Sequence, residues 1–220
     1  MKVGTDGILL GAWIEPGTAS KILDVGTGTG LISLMMAQKS KAKITAIEID
    51  NSAAEQAMEN IASSKWAGQI QVLNTSLQNF AFNWQEEKFD LIVTNPPFYN
   101  SHIKSQNKQR AIARHGHNLE PEILISLAAK LLNHGGRFAF IIPWSRSPEY
   151  RNQLKIFNFS IVNECIIYDK PDARPVRLLA ESILGVQLQK KQDSIYMKNA
   201  SGNTYSEAYK DLCRDYYLEF

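Results

Sequence analysis

Two groups of residues in this chain have the types and spacing to do chemistry. The first is Asp90-Leu-Ile-Val-Thr-Asn95-Pro96-Pro97-Phe98, which closes a β-branched run. Asn95 precedes a proline and is therefore biased to an extended backbone, and the two prolines stiffen the chain after it. On such a rigid platform the Asn95 side-chain oxygen and the Pro96 carbonyl can each accept one hydrogen of an NH2 group. Phe98 offers a ring on which a flat base or amide can stack. A planar amine is a poor nucleophile because its lone pair is delocalised into the ring or carbonyl beside it. Two fixed acceptors orient the nitrogen and stabilise the positive charge that develops on it, so positioning and electrostatics suffice without a strong base. Asn95, Pro96, Pro97 and Phe98 are the candidate catalytic residues, with a proline-rich turn that merely ends a strand as the alternative.

The second group argues against that alternative. Asp24-Val-Gly26-Thr-Gly28-Thr-Gly30 ends one strand and opens a helix. Three glycines at alternate positions let the chain turn sharply and let a ligand approach backbone that a Cβ would shield. Alone this is weak evidence. The next strand, however, ends in Ile47-Glu48-Ile49-Asp50, an acid about twenty residues after the glycines, where a carboxylate can accept both hydroxyls of a ribose. Together the signals imply an adenosine-containing cofactor across the strand tips. The spacing differs from the G-x-G-x-x-G of dinucleotide folds, which favours adenosylmethionine over NAD because no pyrophosphate needs cradling. Asp50 is read as the N-cap of the helix that starts at Asn51 or Ser52.

The elements that must hold these groups follow from the alternation of apolar runs. Strands are expected at Lys21 to Val25, Lys43 to Ile49, Ile70 to Leu73, Phe89 to Thr94 and Arg137 to Ile142, each apolar enough to be covered on both faces. Helical spacing begins at Leu31 and recurs over Ala53 to Ile61 and Ile123 to Leu132. Beyond Pro143, Ile161 to Tyr168 and Leu178 to Leu188 read as two more strands, the second as an arm of an antiparallel pair. The expected fold is α/β, a doubly wound, seven-stranded, mostly parallel sheet formed by one domain over residues 1–220.

Composition narrows the partners. The 24 basic and 22 acidic residues nearly cancel, so a nucleic acid must be met by a local patch. Only Cys165 and Cys213 are present, outside any C-x-x-C spacing, which reads as two reduced thiols and no zinc site. No apolar run reaches the roughly 18 residues of a membrane span, and the start lacks a secretory signal. A soluble, cytoplasmic monomer is expected, with no membrane partner and no metal.

These motifs look like those of the class I adenosylmethionine methyltransferases that modify exocyclic or amide nitrogens, which share a Rossmann-like fold. More narrowly, Met1-Lys-Val-Gly-Thr5-Asp6-Gly-Ile-Leu-Leu-Gly-Ala-Trp13, Asn95 to Tyr99 and Tyr205-Ser-Glu-Ala-Tyr209 resemble the bacterial tRNA1(Val) adenine-37 N6-methyltransferase family along nearly the whole chain. The resemblance implies transfer of a methyl group from S-adenosylmethionine to the N6 of the adenine beside the valine anticodon. It also implies an N-terminal segment before Met1. It sets Thr5 and Asp6 near the methionine end of the cofactor, Gly26 and its neighbours under it and Glu48 on the ribose, and Asp24, Gly28, Gly30 and Asn95 are counted with them as candidate cofactor-binding residues. Where the family usually offers an Asp for the cofactor adenine, this chain reads Asn74-Thr75-Ser76-Leu77, so Ser76 is the weaker candidate for that contact.

The interval from Tyr99 to Asn118 contains no acid and carries Lys104, Lys108, Arg110 and Arg114, with His102, His115 and His117. It grows from the strand end that holds the acceptors, so these four cations are expected to grip tRNA phosphates, against the alternative of a solvated loop. Two histidines two apart without a nearby Cys or acid do not make a metal site. A protein glutamine N5-methyltransferase acting on release factors presents nearly the same NH2 to Asn95. It usually carries a helical domain before the glycine loop and a tyrosine after the prolines, whereas the present sequence offers about twenty residues there and Phe98. A guanine N2 rRNA methyltransferase is a second rival, and an RNA-binding module that kept the fold without catalysis is a third.

Overall fold

The computed structural model of this protein describes residues 4–97 and 119–217. Eight strands form one sheet: β1 (Lys21–Val25), β2 (Lys43–Glu48), β3 (Ile70–Asn74), β4 (Phe89–Thr94), β5 (Leu132–Pro143), β6 (Phe159–Tyr168), β7 (Pro175–Leu184) and β8 (Lys191–Tyr196). Their order across the sheet is β3-β2-β1-β4-β5-β7-β6-β8. Strands β1 to β5 pair in parallel, and β7 runs antiparallel to both β5 and β6. The parallel core and the antiparallel arm match the sequence expectation, but the strand count does not. β8 adds an eighth strand parallel to β6 at the sheet edge. Its Lys-Gln-Asp-Ser-Ile-Tyr is almost wholly exposed. An edge strand of this kind is held by backbone pairing to β6 and carries no apolar alternation to reveal it.

Helices cover both faces. On one side lie α1 (Thr5–Trp13), α2 (Leu31–Lys39), α3 (Asn51–Ala62) and the later α7 (Glu207–Cys213); on the other lie α4 (Leu77–Asn83), α5 (Pro121–Leu131) and α6 (Ser147–Ile156). Side chains alternate strictly between the two layers. Along β1, Ile22 joins the first layer while Leu23 and Val25 join the second; along β5, Ala139 and Ile141 face one way and Phe138, Phe140 and Ile142 the other. Asp24 therefore points with Ile22 towards α2. Helix α1 is not evident from periodicity because Gly7 to Ala12 are buried without a polar face. It packs closely on α2, and a Cβ on Gly11 would collide with the Met35 sulfur.

Asp50 caps α3 as expected, its Oδ1 accepting from the Ala53 N–H at 2.9 Å. Cys165 and Cys213 are both buried thiols, pushed up by burial to about 12 and about 11. No described helix is long and apolar enough to cross a membrane.

Candidate active site

The strand register sets the site. Val25 stands opposite Ile47 of β2 on one side and Thr94 of β4 on the other. The next residues along these three strands are Gly26, Glu48 and Asn95, which thus emerge side by side at the carboxyl-terminal edge, about 4.8 Å per strand step. Three further bonds fix the tips. The buried Thr94 hydroxyl donates to the Val25 carbonyl at 2.9 Å, locking the glycine strand to the strand that carries Asn95. The N–H groups of Gly26 and Thr27 both donate to the Ile47 carbonyl, at 2.9 and 3.0 Å.

The loop beyond β1 is built on an acid behind it. Asp24 is fully buried, and its Oδ2 accepts from the hydroxyls of Thr27 and Ser33, each at 2.7 Å. Burial raises its carboxyl to about 6 against the lowering effect of these bonds, and the nearby Glu48 charge adds to the rise. Asp24 thus holds the loop from inside.

Gly26 has φ +71°, a conformation an L side chain rarely adopts, and a Cβ built on it would meet nothing within 4 Å. That open approach to bare backbone is the shape a bound cofactor requires. Gly28 also has positive φ, and its N–H donates to Glu48 Oε2 at 2.9 Å. Gly30 differs. It is the left-handed N-cap of α2, and a Cβ there would press on Ile61, so it serves the helix start and packing.

Glu48 joins the pieces, since Oε1 accepts from the Asp50 N–H at 3.0 Å while Oε2 holds Gly28. A carboxylate has about four acceptor positions, so these two bonds leave capacity for ribose hydroxyls and fix its orientation. The residues present therefore fit an adenosine-bearing cofactor. Glu48→Ala is expected to weaken adenosylmethionine binding by about 1.5 to 3 kcal/mol, the scale of a hydrogen bond to a charged group. Titration calorimetry checks this, and an unchanged affinity would remove Glu48 from the site.

Ser76 lies at the tip of β3 as the N-cap of α4, its Oγ accepting from the Asn79 N–H at 3.2 Å. Thr5 begins α1 and is exposed. Asp6 forms an ion pair with Arg177 of β7 at 2.9 Å, a link across 171 positions that no local pattern announces. Neither the Thr94 tether nor the part played by Arg177 is legible in the sequence, because each acts through a partner remote in the chain.

Asn95 is half-buried, and its Oδ1 is buried with no hydrogen-bond partner among the described residues. Pro96 is buried and Pro97 exposed. Phe98 and the basic residues Lys104, Lys108, Arg110 and Arg114, with His102, His115 and His117, lie outside the described residues. Among the described residues no cluster of His, Cys, Asp and Glu could hold a metal ion.

Comparison with known proteins bears on the fold and the family. The model of the methyltransferase small domain family matches residues 4–162. Among solved structures, a predicted O-methyltransferase from Agrobacterium tumefaciens superimposes with a TM-score of 0.74 at 20% identity, covering 96% of each chain. TrmN from Thermus thermophilus gives 0.56 at 19% identity, covering 80% of this chain and 47% of that one. These likenesses show a methyltransferase fold. Two curated relatives go further, each named tRNA1(Val) (adenine(37)-N6)-methyltransferase. The one from Bacteroides thetaiotaomicron is 39% identical and the one from Phocaeicola vulgatus 41%, each alignment covering 99% of this chain and 91% of the relative. Identity at this level, held across nearly the full length of both, means that the chain belongs to the tRNA1(Val) (adenine(37)-N6)-methyltransferase family.

Proposed function

We propose that this protein transfers a methyl group from S-adenosylmethionine to the N6 amine of adenine 37 in the anticodon loop of valine tRNA. The observation that carries the chemistry is the buried Asn95 Oδ1, which lacks a partner among the described residues and stands one strand step from the open glycine loop. A buried acceptor without a donor is costly, and an incoming NH2 group removes the cost.

When bound, adenosylmethionine supplies an electrophilic methyl group. The Gly26 to Gly28 backbone and Glu48 would hold its adenosine part, and Asp6, fixed by Arg177, would stand at the methionine end. Asn95 Oδ1 takes one hydrogen of the target amine and the Pro96 carbonyl the other. Those bonds would turn the nitrogen lone pair out of conjugation and towards the methyl group, and would stabilise the charge the nitrogen gains as the N–C bond replaces the cofactor's S–C bond, whose electron pair stays on the departing thioether sulfur. The extra proton then passes to solvent. An adenine in an anticodon loop is unpaired, so bringing it to Asn95 costs little unstacking. Phe98 is the proposed stacking ring, and Lys104, Lys108, Arg110 and Arg114 the proposed phosphate contacts.

Nucleoside mass spectrometry of valine tRNA incubated with the protein and methyl-labelled cofactor tests this reading. Labelled N6-methyladenosine at position 37 is expected. Label appearing instead in a glutamine side chain of a release factor, or in N2-methylguanosine of rRNA, would replace it with one of the rival activities.

A further inference from the structure

We propose that the cavity at the joint tips of β5 and β7 is a second RNA subsite, which takes a nucleotide adjoining the target adenine, its base on Trp144 and its phosphate on Arg174. The inference rests on the reading of this chain as an RNA methyltransferase and adds a contact surface to it.

The place follows from register. Phe140 of β5 pairs with Thr94, the residue before Asn95, yet β5 runs on for three more residues to Pro143. Pro143 is paired in turn with Arg177 of the antiparallel β7. The tips of β5 and β7 therefore stand one and two strand steps from Asn95, about 5 to 10 Å across the sheet, and about two residues, roughly 7 Å, further along the strand direction. They lie on the far side of Asn95 from the glycine loop and Glu48, and the cavity meets the proposed methionine end of the cofactor through Asp6, which holds Arg177 on its wall.

The cavity has a volume of about 510 Å³ and is lined by Pro143, Trp144, Arg174, Pro175 and Arg177 among others. That size suits a nucleotide. Trp144 packs part of its ring against the core beneath and stays half-exposed, so it is held rigidly with a face to offer. The flanking prolines restrict backbone motion on both walls. No acid is among the residues that line the cavity. Arg177 is oriented by Asp6, which offsets part of its charge. The exposed Arg174 is then the principal phosphate group. An aromatic platform beside a cation is the arrangement that binds single-stranded nucleic acid with little regard to sequence.

The test uses the full chain, valine tRNA and its anticodon stem-loop. Arg174→Gln is expected to raise the KM for tRNA severalfold and to reduce the slope of log affinity against log salt by about 0.7 to 0.9, one phosphate contact. Trp144→Leu is expected to raise that KM about tenfold, in the range found for loss of one base stack, while Trp144→Phe keeps most of the affinity. Because Trp144 touches the core, adenosylmethionine affinity serves as the folding control. Tryptophan emission gives an independent reading, since the stem-loop should quench a component in the wild type that Trp144→Phe lacks. Should Arg174→Gln leave KM and salt slope unchanged and Trp144→Phe show wild-type quenching, while the wild type methylates tRNA, the subsite alone is overturned. A wild type that transfers no methyl group to tRNA overturns the proposed function and this inference together.

Discussion

Asn95→Ala is expected to lower kcat for methyl transfer by about 100- to 1000-fold, the loss seen when one preorganised partner of a developing charge is removed. The same change should leave adenosylmethionine affinity nearly intact, because the proposed cofactor contacts centre on the glycine loop and Glu48, while the Asn95 acceptor serves chiefly the target amine. Stability provides the contrast. An unpartnered buried acceptor costs about 1 to 3 kcal/mol, and alanine removes it while tolerating the extended backbone that Pro96 imposes. The variant should therefore melt no lower than the wild type. Asn95→Asp keeps an oxygen acceptor and should recover part of the rate. Single-turnover kinetics with saturating cofactor, run beside thermal melts, separates these effects. Wild-type turnover in Asn95→Ala would refute the amine-orienting mechanism, and a large fall in melting temperature would show that Asn95 is structural.

The parallel core is legible in the sequence because its strands are buried on both faces and read as continuous apolar runs. The strands Lys21–Val25 and Phe89–Thr94 have the bounds that their residues suggest. Glu48 and Asn95 are legible for a related reason, as polar residues placed at the ends of such runs. The edge strand Lys191–Tyr196 is not, since an exposed strand needs no apolar face. Helix α1 is hidden by the opposite circumstance, being apolar nearly all round. Within the site, residue types identify which side chains could do chemistry and leave out how they are held. The Thr94 tether spans 69 positions and the Asp6 ion pair 171, and only the fold brings such partners together. Asp24 marks the limit most clearly. Its place at the head of the glycine motif suggests a ligand contact, whereas its hydrogen bonds are to Thr27 and Ser33.

That buried carboxyl leads to the second large effect, on stability against pH. Asp24 titrates at about 6 in the folded chain against an ordinary value of 3.8, so between these values the folded state holds a proton that the unfolded state releases. An acid whose folded pKa is raised stabilises most below the unfolded value, and this advantage is lost as pH climbs through the folded one. The loss amounts to about 3 kcal/mol as an upper figure, since each pH unit between the two values is worth about 1.36 kcal/mol. The wild type should therefore lose this contribution to unfolding free energy between pH 3.8 and about 6, on top of the opposite trend from its surface carboxylates. Asp24→Asn cannot ionise, and its side-chain oxygen can still accept from the Thr27 and Ser33 hydroxyls. Its amide also replaces Asp24 Oδ1, a buried atom without a described partner, so absolute stability is a poor guide and the slope is the quantity to compare. Urea unfolding of both proteins across this range should show the wild type losing stability relative to the variant as pH rises, whatever constant offset separates the two curves in acid. Parallel curves would show that Asp24 titrates alike in the folded and unfolded chain, so that the loop rests on a charged rather than a neutral anchor over most of this range.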